Sequence, residues 1–258
     1  SPSHLSLHAF CSLTKCHRSV LLLPQGISMQ TVFPDLVWRD GRLPVSRRFD
    51  DPYFSFENGF DETKHVFLDA NKIPERFCDG FTIAELGFGT GLNFLTTLLE
   101  WRRFGTKGRF YFTSFEAYPI RKDDMMRALA NFEILTPFAE ELGKKWNLLL
   151  QQGYLVMPDV TLTLIIGDAR KTVPFWRSYA DCWYLDGFSP IKNPELWGAA
   201  LLEQVYRHTK VGGTASTYTA AGFVRKNLKQ AGFCVERISG YARKRHMTIA
   251  KKNANHAK

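Results

Sequence analysis

The sequence lacks any apolar run that could cross a membrane or direct secretion. Residues 20–23 (Val-Leu-Leu-Leu) are far short of the roughly 20 residues that a transmembrane helix needs. The sequence also lacks a Cys-x-x-Cys pair, and its five cysteines are an odd number at scattered positions. These absences argue against a disulfide framework and predict a reducing, cytoplasmic compartment.

A metal site is not expected either. The metal-ligating residue types that cluster near the start match no zinc motif: His4, His8, Cys11, Cys16 and His17. Residues 1–28 contain no initiating Met and Met29 would be a natural start, so we expect a disordered or non-native leader there.

Positive charge is present in excess, and it is concentrated at one end. The formal net charge is +9, from 34 basic and 25 acidic residues. Residues 225–258 contain ten Lys or Arg and one acid, whereas the preceding residues carry 24 of each sign. A basic face of this kind predicts a polyanionic partner. The alternative is a solvated terminus, which best suits the tail at residues 251–258.

Residues 85–91, Glu-Leu-Gly-Phe-Gly-Thr-Gly, are the most informative stretch. They follow an apolar, β-branched run (81–84) that predicts a buried strand, and they precede residues 92–101, whose apolar spacing predicts a helix. Three alternating glycines let a ligand lie directly on the backbone. A dinucleotide fingerprint would need Gly at position 92, which is Leu. The stretch resembles the first motif of S-adenosylmethionine (SAM)-dependent methyltransferases; the alternative is a turn that binds nothing.

Acidic residues follow the next predicted strands. Glu116 ends the strand predicted over residues 110–115, where an acid can accept hydrogen bonds from ribose hydroxyls. Asp168 and Ala169 follow a strand over residues 160–166. Asp168 could accept from an adenine amino group, with Ala169 leaving space for the ring, or it could cap a helix beginning near residue 171.

Asp186 is the leading catalytic candidate, because it ends a fourth predicted strand over residues 181–185. A carboxylate at that edge would face both the methyl donor and the incoming nucleophile. The remaining elements alternate as an α/β three-layer sandwich requires. We predict a helix at residues 195–208, a turn at 211–213, a strand at 214–218, a helix at 221–230 with Gly232 as its cap, and final strands at 233–238 and 246–250.

Two further regions are less regular. Residues 29–80 are expected to form a small module with an Asp-Gly hairpin near residue 40 and a helical stretch at 61–77, interrupted at Pro74. This module could cover the ligand pocket or pack inertly. Residues 118–159 exceed a simple crossover and predict two helices, one at residues 122–132, and a loop around Gly153.

Five separated sequence segments resemble one particular methyltransferase family. They lie at residues 49–55, 87–95, 186–197, 217–225 and 240–247. Together they resemble the methyltransferase domain of the MnmC family, from about residue 37 to residue 251. That resemblance implies the class I, Rossmann-like methyltransferase fold over residues 81–250, with a mostly parallel sheet and a terminal reverse hairpin. Many members also carry an FAD-dependent oxidase domain, so we expect an isolated domain or a stand-alone member that works with a separate oxidase.

The resemblance implies transfer of a methyl group from SAM to the 5-aminomethyl group of a tRNA wobble uridine. The residues that it and the pattern assign to the cofactor are Glu85, Gly87, Gly89, Gly91, Asn93, Glu116, Asp168, Ala169, Asp186 and Phe188. Those assigned to tRNA are Lys192, Asn193, Arg225, Arg243, Lys244 and Arg245. Two alternatives stay open: a methyltransferase for another amine, and a non-catalytic SAM-binding protein.

Overall fold

The computed structural model of the chain describes residues 31–254. The leader expected at residues 1–28, with its His and Cys cluster, lies outside these described residues, as do residues 255–258 of the basic tail. Within residues 31–254 we find no helix that is both long and apolar enough to cross a membrane. In that same range, no group of three or more His, Cys, Asp or Glu side chains is arranged to hold a metal ion.

A small antiparallel sheet comes first. Its first two strands are joined by the predicted Asp-Gly hairpin, in which Asp40 (φ 50°) and Gly41 (φ 70°) both take the left-handed conformation of a tight turn. This prediction is confirmed. The three strands are β1 (Leu36–Arg39), β2 (Leu43–Ser46) and β3 (Asp51–Pro52).

The helical stretch predicted over residues 61–77 is shorter than expected. Helix α1 (Gly59–Thr63) continues as a π-helical turn (Lys64–Leu68) and a 3-10 turn (Asp69–Asn71). Lys72 then takes the left-handed conformation (φ 56°) that commonly ends a helix. The predicted extent was wrong because no glycine marks this end in the sequence.

An eight-stranded sheet forms the centre of the fold, in the order β10-β11-β9-β8-β4-β5-β7-β6. The five inner strands from β9 to β7 run parallel, while β10 and β11 form an antiparallel hairpin at one edge. The predicted α/β sandwich with a terminal reverse hairpin is therefore confirmed. The strands are β4 (Thr82–Leu86), β5 (Phe110–Glu116), β6 (Tyr154–Val156), β7 (Val160–Ile166), β8 (Ala180–Leu185), β9 (Thr209–Thr217), β10 (Cys234–Ser239) and β11 (His246–Lys251).

Helices cover both faces of this sheet. Two of them, α3 and α4, lie within residues 118–159 as predicted, although α3 ends at Leu129 instead of residue 132. The helices are α2 (Leu92–Phe104), α3 (Lys122–Leu129), α4 (Thr136–Gln152), α5 (Ala169–Thr172), α6 (Ala199–Arg207) and α7 (Gly222–Ala231).

One strand was missed and two local predictions were wrong. The three-residue strand β6, which pairs antiparallel with β7, was not predicted, because it is too short to show alternation. The helix predicted at residues 195–208 is broken at Gly198, whose extended backbone separates a 3-10 turn (Pro194–Trp197) from α6. The turn predicted at residues 211–213 lies inside β9, which accommodates its glycines as an irregularity in the pairing with β8.

Strand alternation decides which side chains face the site. In β4, Ile83 packs in the core on the α2 side of the sheet, and Ala84 packs in the core on the α6 side. Glu85 therefore points to the α2 side, beneath the glycine turn. Tyr184 of β8 packs on that same side, so Asp186, two residues later, is directed there as well.

Candidate active site

The predicted site residues meet at the carboxyl ends of the parallel strands. Strand β4 has β5 on one side and β8 on the other, so the chain reverses its direction across the sheet at this point. Open α/β sheets bind ligands at such a point. A cavity of about 480 Å³ lies there, within the roughly 300–1,000 Å³ range of small-molecule sites. Its lining includes Gly87, Gly89, Glu116, Asp168, Ala169, Asp186, Phe188 and Asn193.

Gly87 shows why the turn after β4 needs glycine. Its φ of 82° is disfavoured for other residues, and a Cβ atom there would lie 3.1 Å from the Cα of Gly187. The loops after β4 and β8 therefore touch through two glycines. This contact brings the Asp186 loop against the glycine turn at the edge of the cavity.

Three of the predicted cofactor residues do not reach the described cavity wall: Glu85, Gly91 and Asn93. Gly91 (φ 82°) precedes the first residue of α2. The side chain of Asn93 is buried, and Glu85 is completely buried under it. Both residues can influence the site only through other side chains.

A hydrogen-bond network connects these buried residues to Asp186. The Asn93 side-chain amide donates to Asp186 Oδ2 at 2.8 Å and to Glu85 Oε2 at 3.0 Å. Glu85 also accepts from the Ser114 hydroxyl at 2.7 Å, and the Thr63 hydroxyl donates to Asn93 Oδ1 at 3.0 Å. Every polar atom of the Asn93 side chain is thus engaged, which fixes the direction of its amide.

Burial changes the acidity of both carboxyl groups. It raises the pKa of Glu85 well above its ordinary value, although the hydrogen bonds from Ser114 and Asn93 oppose the rise. Burial also raises the pKa of Asp186 to about 7, although the hydrogen bonds from Asn93 and from the Gly187 amide favour the carboxylate and limit the rise. Asp186 is therefore poised to exchange a proton near neutral pH.

Glu116 connects the end of β5 to the glycine turn. Its Oε2 accepts from the Gly89 amide at 3.0 Å, and its Oε1 accepts from the Tyr118 amide at 2.9 Å. Burial raises its pKa, and these backbone hydrogen bonds oppose the rise. Each oxygen keeps a further lone pair, which is what a ribose diol would use.

Asp168 has the helix-capping role that the sequence offered as one interpretation. It precedes α5, which starts at Ala169 rather than near residue 171, and it accepts from the Arg170 amide at 3.0 Å. The Arg170 guanidinium also binds both carboxylate oxygens, at 3.0 and 2.7 Å, and lowers the pKa of Asp168. An adenine amino group would share these oxygens with Arg170.

An aromatic wall that the sequence did not predict closes one side of the cavity. Phe188 stacks on Phe49 with ring centroids 5.0 Å apart and meets the ring of Tyr53 edge-on at 5.1 Å. The Arg48 guanidinium lies 4.8 Å from the centroid of Tyr118 and 5.6 Å from that of Phe49. The segment at residues 49–55 was the available signal, but it did not indicate where these rings would pack.

The residues predicted to contact tRNA do not form a continuous free surface. The Lys192 ammonium hydrogen-bonds to the Asp50 carbonyl and lies 3.8 Å from Asp51 Oδ1, so it ties the Asp186 loop to β3. Arg225 donates to the Ala220 carbonyl at 3.1 Å. Asn193 lines the cavity.

The three basic residues between β10 and β11 have different environments. Lys244 forms a salt bridge with Glu62 at 2.6 Å, whereas Arg243 and Arg245 are exposed and pair with no acid in the described part of the chain. Lys244 therefore pairs with an acid inside the fold, whereas the two arginines remain accessible to a partner.

Comparisons with known proteins cover most of the described residues. Residues 133–253 match a family of S-adenosyl-L-methionine-dependent methyltransferases. The chain is 40% identical over 229 residues to the tRNA 5-methylaminomethyl-2-thiouridine biosynthesis bifunctional protein MnmC of Hahella chejuensis, which is 85% of this chain and 37% of that protein. It is also 40% identical over 227 residues to the Aeromonas hydrophila protein of the same name, with 82% and 34% covered.

A solved structure has a similar overall fold. The crystal structure of MNMC2 from Aquifex aeolicus matches with a TM-score of 0.71 and 26% identity, over 88% of this chain and 72% of that one. The chain spans about a third of the length of the two curated relatives.

Proposed function

Because the chain belongs to the SAM-dependent methyltransferases and corresponds to the methyltransferase part of the MnmC proteins, we propose that it methylates the 5-aminomethyl group of a uridine at the tRNA wobble position. The product would be 5-methylaminomethyluridine, or its 2-thio form. The substrate is part of the proposal because the chain matches only 34–37% of the length of these relatives. A cytoplasmic location and a separate oxidase that acts on the same uridine are also part of this proposal.

The cavity fits SAM, the cofactor of this family, which supplies an electrophilic methyl group on a sulfonium sulfur. Gly87 and Gly89 line the cavity, and their backbone would border its methionine part. Glu116 would hold the ribose hydroxyls, and Asp168 and Ala169 would border the adenine. The ring of Phe188 suits the positive sulfonium.

The observation that carries the proposal is the Asp186 carboxylate, held by Asn93 at the edge of this cavity. An alkylammonium has no lone pair, so an amine substrate must lose a proton before it can attack. Asp186, with a pKa raised to about 7, can accept that proton at neutral pH. Most of the acceleration would come from holding donor and acceptor in line.

Calorimetry with SAM, followed by methyl transfer from labelled SAM, tests this proposal. We expect SAM binding and label incorporation into tRNA that carries 5-aminomethyluridine, with none into mature tRNA. Transfer to a protein or small amine instead would favour another substrate class. SAM binding without transfer to any amine would indicate a binding protein.

A further inference from the structure

A lysine side chain occupies a cation-binding pocket next to Asp186. The Lys244 ammonium lies 2.6 Å from Glu62 Oε1 and 4.7 Å from the centroid of the Tyr218 ring. Only 13% of the Glu62 side chain is exposed, and its other oxygen accepts from the Ser55 hydroxyl. A carboxylate and an aromatic face around one ammonium are the usual elements of alkylammonium recognition. We call Glu62 and Tyr218 the ammonium pocket.

The ammonium pocket adjoins the catalytic loop. The Tyr218 hydroxyl donates to the carbonyl of Gly187, the residue after Asp186, at 3.0 Å. The charges of the pocket also reach the Asp186 carboxyl, because Glu62 raises its pKa and Lys244 lowers it. A cation in the pocket is therefore close enough to Asp186 to influence its proton.

Lys244 enters this pocket from an exposed loop. Residues 240–245 connect β10 to β11, and Ala242 within them takes a left-handed conformation (φ 50°). Arg243 and Arg245 flank Lys244 and are exposed. The Lys244 side chain itself is 47% exposed, so its ammonium can leave the pocket without unpacking the core.

We propose that the ammonium pocket of Glu62 and Tyr218 binds the cationic aminomethyl group of the substrate, and that Lys244 occupies this pocket until the substrate displaces it. This inference rests on the proposed function, because the aminomethyl group is a primary alkylammonium like the lysine side chain. The pocket would select the charged group and deliver it beside Asp186. The displaced Lys244 would then lie in solvent, beside the exposed Arg243 and Arg245.

The test compares two stem-loop RNAs that differ only in carrying 5-aminomethyluridine or uridine at the target position. Affinities are measured with S-adenosylhomocysteine present, so that no transfer occurs. The readout is the preference, defined as the ratio of the two affinities. Wild type should prefer the aminomethyl RNA. Glu62→Gln should lower the preference about tenfold, because a charge-assisted contact is lost, while the affinity for the uridine RNA stays the same.

A matched control and two substitutions of the Tyr218 ring, called the ring series, make the test specific. Glu203→Gln removes an exposed salt bridge of the same 2.6 Å length, to Arg207 on α6, and should leave the preference unchanged. Tyr218→Phe keeps the aromatic face and should keep the preference, whereas Tyr218→Leu should lose it. The ring series also keeps the proposal testable if Glu62→Gln does not fold.

Lys244→Met separates the proposal from a phosphate contact. Removing the internal competitor should raise the preference, whereas loss of a phosphate contact would weaken both RNAs equally and leave the ratio unchanged. An unchanged ratio in Lys244→Met, or a full preference in Glu62→Gln, overturns the inference while the proposed function stands. A wild-type protein that neither prefers nor methylates the aminomethyl RNA overturns the proposed function itself.

Discussion

The side-chain amide of Asn93 donates a hydrogen bond to the Asp186 carboxylate over 2.8 Å, and this contact joins the start of α2 to the end of β8. The Asn93 oxygen accepts in turn from Thr63 of α1, in the N-terminal module. The orientation of Asp186 therefore depends on three separate segments. The sequence left open whether the module covers the pocket or packs inertly; here it contributes to the network beneath the site.

Asp186→Asn should lower the rate of methyl transfer by about 100-fold or more, because the amide cannot accept the amine proton. SAM affinity should change little. Calorimetry and single-turnover rates measure the two effects. Asp181→Asn is the matched control, since Asp181 lies near the other end of β8 and pairs with Lys210 at 2.8 Å. A variant of Asp186 with nearly the parental rate would show that the proton leaves by another route.

The rate should depend on pH through Asp186. Only the carboxylate accepts a proton, and burial raises its pKa to about 7, so the transfer rate should increase as pH rises through about 7. Asn93→Ala removes the hydrogen bond that favours the carboxylate, so its rising limb should lie at higher pH. Single-turnover rates across the neutral range test this. Superimposed profiles for the two proteins would contradict the assignment.

Glu116→Ala should weaken SAM binding by about 1–3 kcal/mol, because the ribose hydroxyls would lose a buried acceptor. The substitution also frees the Gly89 amide. Titration calorimetry measures the change. Glu141→Ala serves as the control, because Glu141 lies on α4 and pairs with Arg102 at 3.1 Å. If Glu116→Ala binds SAM as tightly as the parent, the cofactor does not use the end of β5.

Thr63→Val should lower the methyl-transfer rate about fivefold, the order expected for loss of one neutral hydrogen bond. It releases the Asn93 oxygen and lets the amide rotate away from Asp186. Thr63→Ser should restore the rate. Thr96→Val is the matched control, since its buried hydroxyl donates to the Leu92 carbonyl of the same helix. Equal rates for the two valine variants would mean that the N-terminal module does not orient Asp186.

Arg243→Ala combined with Arg245→Ala should weaken tRNA binding and flatten its salt dependence. Binding releases fewer counterions from the RNA when fewer phosphates are contacted. SAM affinity and the melting temperature should stay the same, because both side chains are exposed. Arg103→Ala with Lys107→Ala is the control pair, because both residues are exposed: Arg103 lies in the last turn of α2, and Lys107 lies between α2 and the start of β5. An unchanged salt slope with a lower melting temperature would assign the two arginines a structural role.

The sequence by itself determined the fold class and the edge of the sheet that carries the site. Hydrophobic runs followed by Glu116, Asp168 and Asp186 are local patterns, and each acid falls at or just after the carboxyl end of its strand. Because parallel strands end on the same edge, their order was enough to bring these residues together. The glycine turn at residues 85–91 could also be predicted locally, because alternating glycines between a strand and a helix indicate such a turn without any tertiary contact.

Tertiary structure alone decided the contacts between side chains that are distant in the chain. Asn93 and Asp186 are 93 residues apart, and Lys244 and Glu62 are 182 residues apart. The stacking of Phe49 on Phe188 is likewise set by how the N-terminal module packs. No periodicity encodes such pairings, because they depend on the packing of elements whose patterns specify only which face is buried. The same packing also sets the acidity of Asp186, since burial raises its pKa and Asn93 limits that rise.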